Sequence, residues 1–315
     1  MDINRQRVDD WKNDIEQSVD FYNRWFLEFA PPAFRAARER ARKNVDEVFL
    51  ATEDGCSLHA AMLALAPTML PVLRQMTCPP LASDRLAGLA RVGSAVVRGM
   101  EDEGRKRAVR DAREASEKIM GVIAKLLDHD LLPWLATGKR ASAVQRARAS
   151  LIVADRLCGA YSDPIIRKAQ EERQLKAIAD FLETRGYRRV HPASSAELRP
   201  GEFAYHLNVR VFLSDTRTET VNIPVDVAIL PRNAQPDSVP LFIEAKSAGD
   251  FANVNKRRKE EAQKIQQLKR TFGPDVRFVL FLCGYFDSGY LGYEAAEGID
   301  WIWEHRMADM EALGL

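Results

Sequence analysis

With 315 residues, 46% of them apolar and 29% charged, the chain can bury a sizeable core in one large or two ordinary domains, which excludes a disordered polypeptide. A formal net charge of +1 excludes a uniformly basic coat but allows locally concentrated positive charge. The four cysteines (Cys56, Cys78, Cys158, Cys283) form no CxxC pair and have no histidine at zinc spacing, so they read as small buried hydrophobes of a reducing compartment. The polar start and the lack of a long apolar run predict a cytoplasmic chain with no membrane contact.

The first half reads as helical. Trp11, Ile15, Val19, Tyr22, Phe26 and Phe29 recur at three- and four-residue steps, and Pro31-Pro32 is expected to stop that helix. A second helix is predicted over Ala60–Met76, and Ile119, Ile123, Leu126 and Leu127 mark another. A polar connector begins at Thr137-Gly138. It sets the predicted division at residue 150: a helical region over 1–150 that supplies dimer or DNA-clamping contacts, and a catalytic domain over 151–315.

After the connector, a helix is predicted over Pro164–Thr184, with proline in its first turn and Gly186 past its end. Strands follow at Tyr187–His191, Ala204–Leu213, Val221–Leu230 and Val239–Lys246, then a helix at about 253–272. Val276–Cys283 is an unbroken apolar run, the pattern of a strand buried on both faces. Tyr285–Gly298 reads as a surface turn region and Trp301–Ala312 as a closing helix. The fold class is therefore α/β (α+β), a mixed sheet flanked by helices with a helical region in front.

Chemistry concentrates where charge interrupts the apolar strands. Pro224-Val225-Asp226 is followed, after seventeen intervening residues, by Glu244-Ala245-Lys246. A charge inside such a strand is costly unless it is paired or bound to metal. Asp226 and Glu244 can supply carboxylates to Mg²⁺, and the Ala245 carbonyl one further oxygen. Lys246, two residues beyond Glu244, shares its face and can orient a water and neutralise developing negative charge. This is the PD-(D/E)xK pattern of metal-dependent nucleases. Acid and lysine at i, i+2 also occur as plain surface pairs; the apolar setting of all three favours a site. Glu171, with Glu172 and Gln174 nearby, offers a possible additional acid, and a solvated helix face accounts for either glutamate equally well.

From Lys246 through Arg270 eight basic residues face three acids. Ser247, Asn253, Asn255, Lys256, Arg257, Arg258 and Lys259 are the candidate DNA-contacting residues: the cations suit phosphates, the asparagines and arginines suit base edges. The start of this helix lacks an apolar stripe and is expected to project toward DNA, the alternative being a solvated basic helix with a Glu260–Lys264 pair. A second basic cluster (Arg105, Lys106, Arg107, Arg110, Arg113) reads as a solvated face. His59, His129, His191, His206 and His305 have no metal-like spacing and read as structural, and Asp128-His129-Asp130 as a helix cap.

Longer strings carry a resemblance. IPVDVAI, PLFIEAKSAGDFANVNKRRKEEAQKI, FLCGYFDSGYLGYEAAEGIDWIWEHR, ADRLCGAYSDPIIRKAQEERQL, SVDFYNRWFLEFAP and CPPLASDRLAGL together resemble the XamI family of type II restriction endonucleases across most of the chain. The resemblance implies a PD-(D/E)xK fold, Mg²⁺ dependence, and staggered cleavage of double-stranded DNA within GTCGAC after the first G. Asp226, Glu244 and Lys246 match its catalytic triplet. A palindromic target implies a homodimer, each subunit cutting one strand, and a separately encoded DNA methyltransferase protecting the host. A repair or structure-specific nuclease of the same fold and a non-catalytic DNA-binding module are the competing readings.

Overall fold

The computed structural model describes residues 3–102, 112–192, 194–215, 217–235, 238–252 and 258–315. The elements, in chain order, are α1 (Trp11–Ala51), α2 (Ala60–Leu65), α3 (Leu70–Gln75), α4 (Ser83–Ala90), α5 (Ser94–Glu101), α6 (Ala112–Leu126), α7 (Pro133–Thr137), α8 (Ala143–Thr184), β1 (Arg188–Arg189), β2 (Glu202–Phe212), β3 (Thr220–Leu230), β4 (Leu241–Ala248), α9 (Arg258–Phe272), β5 (Phe278–Gly284), α10 (Ser288–Ala296) and β6 (Asp300–Trp303), followed by a 3₁₀ segment at Glu304–Leu313.

The chain divides into two compact units, one of Met1–Phe29 with Arg167–Leu315, the other of Ala30–Ile166. The sequence-based division at residue 150 falls inside α8. Both long helices run through both units, and each carries proline within three residues of the passage: Pro31 and Pro32 in α1, Pro164 in α8. Two expectations are thereby corrected. Pro31-Pro32 does not stop α1, and Pro164 lies mid-helix, not in a first turn. A proline at i removes the bond to the carbonyl at i−4. For Pro31 and Pro32 those carbonyls belong to Leu27 and Glu28, both exposed, so water can take the place of the lost donors.

Among its described residues the regular elements of the second unit are all helices, apart from one isolated bridge between Thr77 and Leu127. Val45, Phe49, Leu63, Leu70, Leu73, Met76, Leu86, Ile119, Ile123, Trp134, Val153 and Leu157 form its core. The predicted single helix over Ala60–Met76 is three short pieces, because Pro67 and Pro71 each start a new turn where their missing N–H costs nothing. Asp128 accepts a hydrogen bond from the Leu131 N–H (3.1 Å) in the turn between α6 and α7; it does not cap α7, whose N-cap is Leu132 and has no side-chain cap.

The first unit is a six-stranded mixed sheet in the order β1-β2-β3-β4-β5-β6, flanked by helices. β2–β3 and β3–β4 are antiparallel; β1–β2, β4–β5 and β5–β6 are parallel. All seven residues of β5 are buried, as a parallel strand covered on both faces requires. One core lies on the side of α9, around Phe242, Ile265, Leu268, Leu280 and Trp301; the other on the side of α8, around Leu175, Ile178, Ile243, Val279 and Ile302.

Two C-terminal expectations are overturned. Asp300-Trp301-Ile302-Trp303 is a fully buried edge strand paired with β5, not the start of a helix; the two tryptophans face one core and Ile302 the other. Tyr285–Gly298 is not a surface turn but contains α10, capped by the Asp287 carboxylate on the Tyr290 N–H (2.7 Å), with Tyr290 and Leu291 buried. The glycine just before it serves a close approach. Gly284, at φ +99°, lies against the Ala248 carbonyl where no Cβ could fit, and so brings the ends of β4 and β5 together.

Candidate active site

The sheet register brings the sequence-predicted acids and lysine together. Val227↔Ile243 is the last β3–β4 pair before the strands diverge, and Asp226 and Glu244 are the next residue on each. The gap is bridged by the Asp226 carboxylate, whose Oδ2 accepts the Ala245 N–H at 2.8 Å. On the other side β4 is held by β5 through Glu244↔Leu280 and Lys246↔Leu282. Gln174, buried on α8, donates to the Lys246 and Phe281 carbonyls (3.2 Å each) and fixes the ends of both strands.

Glu244 is 7% exposed. An unpaired carboxylate at that depth costs several kcal/mol, and two ammonium groups offset the cost. Lys246 Nζ lies 3.0 Å from Glu244 Oε1, and Lys264 Nζ 2.7 Å from Oε2. Lys246 Nζ also lies 3.2 Å from Oε1 of Glu261, a residue 1% exposed whose other oxygen makes no hydrogen bond. Lys264 donates to the Pro224 carbonyl as well (2.8 Å). Two lysines and two glutamates thus interlock between β4 and α9.

Within α9, Glu261 and Lys264 turn inward, held by ions in place of apolar contacts, and Lys264 pairs with Glu244 in place of Glu260; Lys259 and Glu260 are exposed, and residues 253–257 lie outside the described residues. Sequence pattern misses them because a polar helix start looks the same whether it meets water or buried charge.

Burial pushes the Asp226 carboxyl up to about 6, and the Glu244 carboxylate pushes the same way; the Ala245 N–H, Lys246 and Lys264 only partly oppose them. Burial pulls the Lys246 ammonium down, but Glu244 and Glu261 outweigh it and leave its pKa above the ordinary lysine value. Lys246 is therefore a standing positive charge, suited to orienting a water or neutralising an oxyanion and unsuited to accepting a proton. Asp226 and Glu244 repel each other, and hard oxygen donors in that state fit a divalent cation such as Mg²⁺.

A second group meets Asp226. The ligand atoms of Glu171, His206 and Asp226 lie within 4.8 Å of one another. Glu171 thus stands beside Asp226, while Glu172 pairs along its own helix with Lys168 (3.4 Å). His206 has no sequence spacing that reveals it; only the pairing of β2 with β3 brings it here.

Of the candidate DNA-contacting residues, Ser247 is half-buried on β4 and Lys259 exposed on α9. Asn253, Asn255, Lys256 and Arg257, and the side chain of Arg258, lie outside the described residues. So do Arg105, Lys106, Arg107 and Arg110 of the second basic cluster, whose described member Arg113 pairs with Glu117 (3.5 Å). Among the described residues no helix is long and apolar enough to cross a membrane.

Comparison with known proteins gives the chain's family. No solved structure matches the chain. It is 46% identical over 320 residues to the type II restriction enzyme SalI of Streptomyces albus G, covering 99% of both chains. The model of the XamI restriction endonuclease family matches residues 56–303, a span holding all four members of the interlocked charge cluster together with Asp226, Glu171 and His206. The chain belongs to the XamI family of restriction endonucleases.

Proposed function

We propose that this type II restriction endonuclease hydrolyses both strands of the palindrome GTCGAC after the first G, with Mg²⁺ as cofactor, leaving 5′-phosphate and 3′-hydroxyl ends. The observation that carries the reading is the convergence of Asp226, Glu244 and Lys246 at the point where β3 and β4 part, Glu244 buried, the other two half-buried, and all three partnered. The target follows from the family resemblance and from 46% identity to SalI along the whole chain.

Asp226 and Glu244, with the Ala245 carbonyl, hold the cation. Once bound, it neutralises phosphoryl charge and lowers the pKa of a water. Lys246 keeps its ammonium beside that water, steadied by Glu261. Lys246 and Lys264 neutralise Glu244; a bound cation would supply that positive charge at a carboxylate already in place. Ser247 and Lys259, with Asn253, Asn255, Lys256, Arg257 and Arg258, supply contacts to the duplex beside the cut.

The two-fold symmetry of the target calls for a homodimer. The N-terminal region, residues 1–150 in the sequence-based division, supplies dimer or DNA-clamping contacts. A separately encoded methyltransferase modifies the same sequence, and the enzyme acts in the cytoplasm, where foreign DNA arrives.

Incubating plasmid DNA bearing several GTCGAC sequences with the protein and Mg²⁺ is expected to give a fixed ladder, and sequencing its ends to place each break after the first G. Discrete fragments with other ends would reassign the target. A smear, or cutting only at junctions or lesions, would favour a structure-specific nuclease; tight binding without cutting in any divalent metal would favour a non-catalytic module.

A further inference from the structure

His206 occupies an unusual place in the sheet. β2 and β3 pair as Tyr205↔Val227 and Leu207↔Val225, which sets His206 directly across from Asp226. The backbone of His206 is left-handed (φ +53°), a conformation that costs a non-glycine residue about 1–2 kcal/mol. Both strands change face at this pair. Tyr205 packs on the α8-side core and Leu207 on the α9-side core, although residues two apart on a strand ordinarily share a face; Val227 and Val225 divide in the same way. The twist leaves the His206 imidazole exposed beside Asp226 and not buried in either core.

α8 supplies the third group. The Tyr205 hydroxyl donates to the Leu175 carbonyl (2.5 Å), which docks α8 against β2 one turn beyond Glu171. Glu171 Oε1 then lies 3.7 Å from His206 Nδ1, and both groups have a ligand atom within 4.8 Å of an Asp226 oxygen. An octahedral cation with bonds of about 2.1 Å holds its donors about 3–4 Å apart, so a small closure of two exposed side chains brings all three into range.

We propose that His206 Nδ1, Glu171 and Asp226 form a divalent-cation position distinct from the one between Asp226 and Glu244, and that its imidazole suits it to first-row transition cations. The proposal rests on the reading of Asp226 as a cation ligand. Carboxylate and water ligands alone suit Mg²⁺; one imidazole in the set shifts preference toward softer divalent ions. The exposed side of the position leaves room for waters, or for a phosphate oxygen, to fill the remaining coordination sites. Asp226, shared by the two positions, would place their cations on either side of one carboxylate.

Mn²⁺ is the probe. Protein free of any histidine tag is loaded with one equivalent, and pulsed electron paramagnetic resonance reads nitrogen coupling to the metal. The expected result is clear ¹⁴N coupling in the parent and in the exposed-surface control His129→Gln. His206→Ala is expected to lose the coupling and to weaken Mn²⁺ binding at least about tenfold, while Glu171→Gln weakens binding with the coupling still present at saturation. Absence of ¹⁴N coupling in the parent overturns the proposal whether or not any variant folds, and so does its persistence in His206→Ala. Glu244→Gln separates this inference from the proposed function. It is expected to abolish Mg²⁺-dependent cleavage yet keep the nitrogen signal; if it cleaves like the parent, the Asp226–Glu244 cation fails while the His206 position stands.

Discussion

Lys246→Ala is expected to lower the single-turnover cleavage rate by about 10²–10³-fold, the usual effect of removing one preorganised group from a site of developing charge, while DNA binding in Ca²⁺ stays within a few-fold of the parent. The structure supplies a control for folding. Lys246 also neutralises Glu261, which is 1% exposed, so its loss strands a buried carboxylate at a cost of about 3–5 kcal/mol. Lys246→Ala/Glu261→Gln removes that stranded charge. The double variant should recover most of the lost stability, measured by urea denaturation, and none of the lost cleavage. Recovery of cleavage along with stability would make Lys246 a folding residue and take it out of the chemistry.

The second expected result is a gain of stability on removing an acid. The Asp226 carboxyl sits at about 6 in the folded protein, because of burial and the adjacent Glu244, against about 3.9 in an unfolded chain. A raised folded-state pKa means that its contribution to stability is fully present below about pH 4 and is lost as pH rises through 6. Above that, metal-free protein carries an ionised Asp226 against its surroundings, a burden of about 2–3 kcal/mol. In Asp226→Asn the amide oxygen would still accept the Ala245 N–H without the charge. In chelator at pH 8, Asp226→Asn should therefore be more stable than the parent by about that amount, with the difference shrinking between pH 6 and pH 4. Four of the five tryptophans (Trp11, Trp25, Trp301, Trp303) lie in the sheet-containing unit, so fluorescence follows the relevant unfolding. Mg²⁺ should narrow or reverse the gap by binding the folded parent alone. A parent more stable than the variant at pH 8 without metal would show that Asp226 is not held under strain.

The cost of burying charge also decides which parts of the site can be read from sequence. Asp226, Glu244 and Lys246 are legible because each breaks an apolar strand, and a break of that kind has few explanations besides a site. β3, β4 and β5 are legible for the same reason, as their apolar runs leave no other period. Glu261 and Lys264 are not. They open a helix whose polar start fits solvent equally well, and only the packing of α9 over β4 shows that they neutralise buried partners. His206 falls at an ordinary polar position between Tyr205 and Leu207; its place across from Asp226 comes from strand register and its aim from a left-handed backbone, neither of which a residue string displays.

The prolines mislead for a related reason. A proline removes one donor, and whether the helix ends depends on what else can satisfy the carbonyl left behind. At Pro31 and Pro32 the residues that supply those carbonyls, Leu27 and Glu28, are exposed, and α1 continues. The buried β6 escapes a sequence reading because Trp301, Ile302 and Trp303 serve opposite cores, so a strand covered on both faces shows no polar alternation and passes for the apolar turn of a helix.

The proposed function requires two carboxylates on parting strands, Asp226 and Glu244, to hold a divalent cation at the scissile phosphodiester; every other role proposed for the site depends on that pair. Single-turnover cleavage of a GTCGAC duplex by Asp226→Ala at saturating Mg²⁺ tests it most directly, with binding in Ca²⁺ measured on the same preparation. Intact binding is expected, with cleavage at or near background. Cleavage within a few-fold of the parent rate would contradict the assignment.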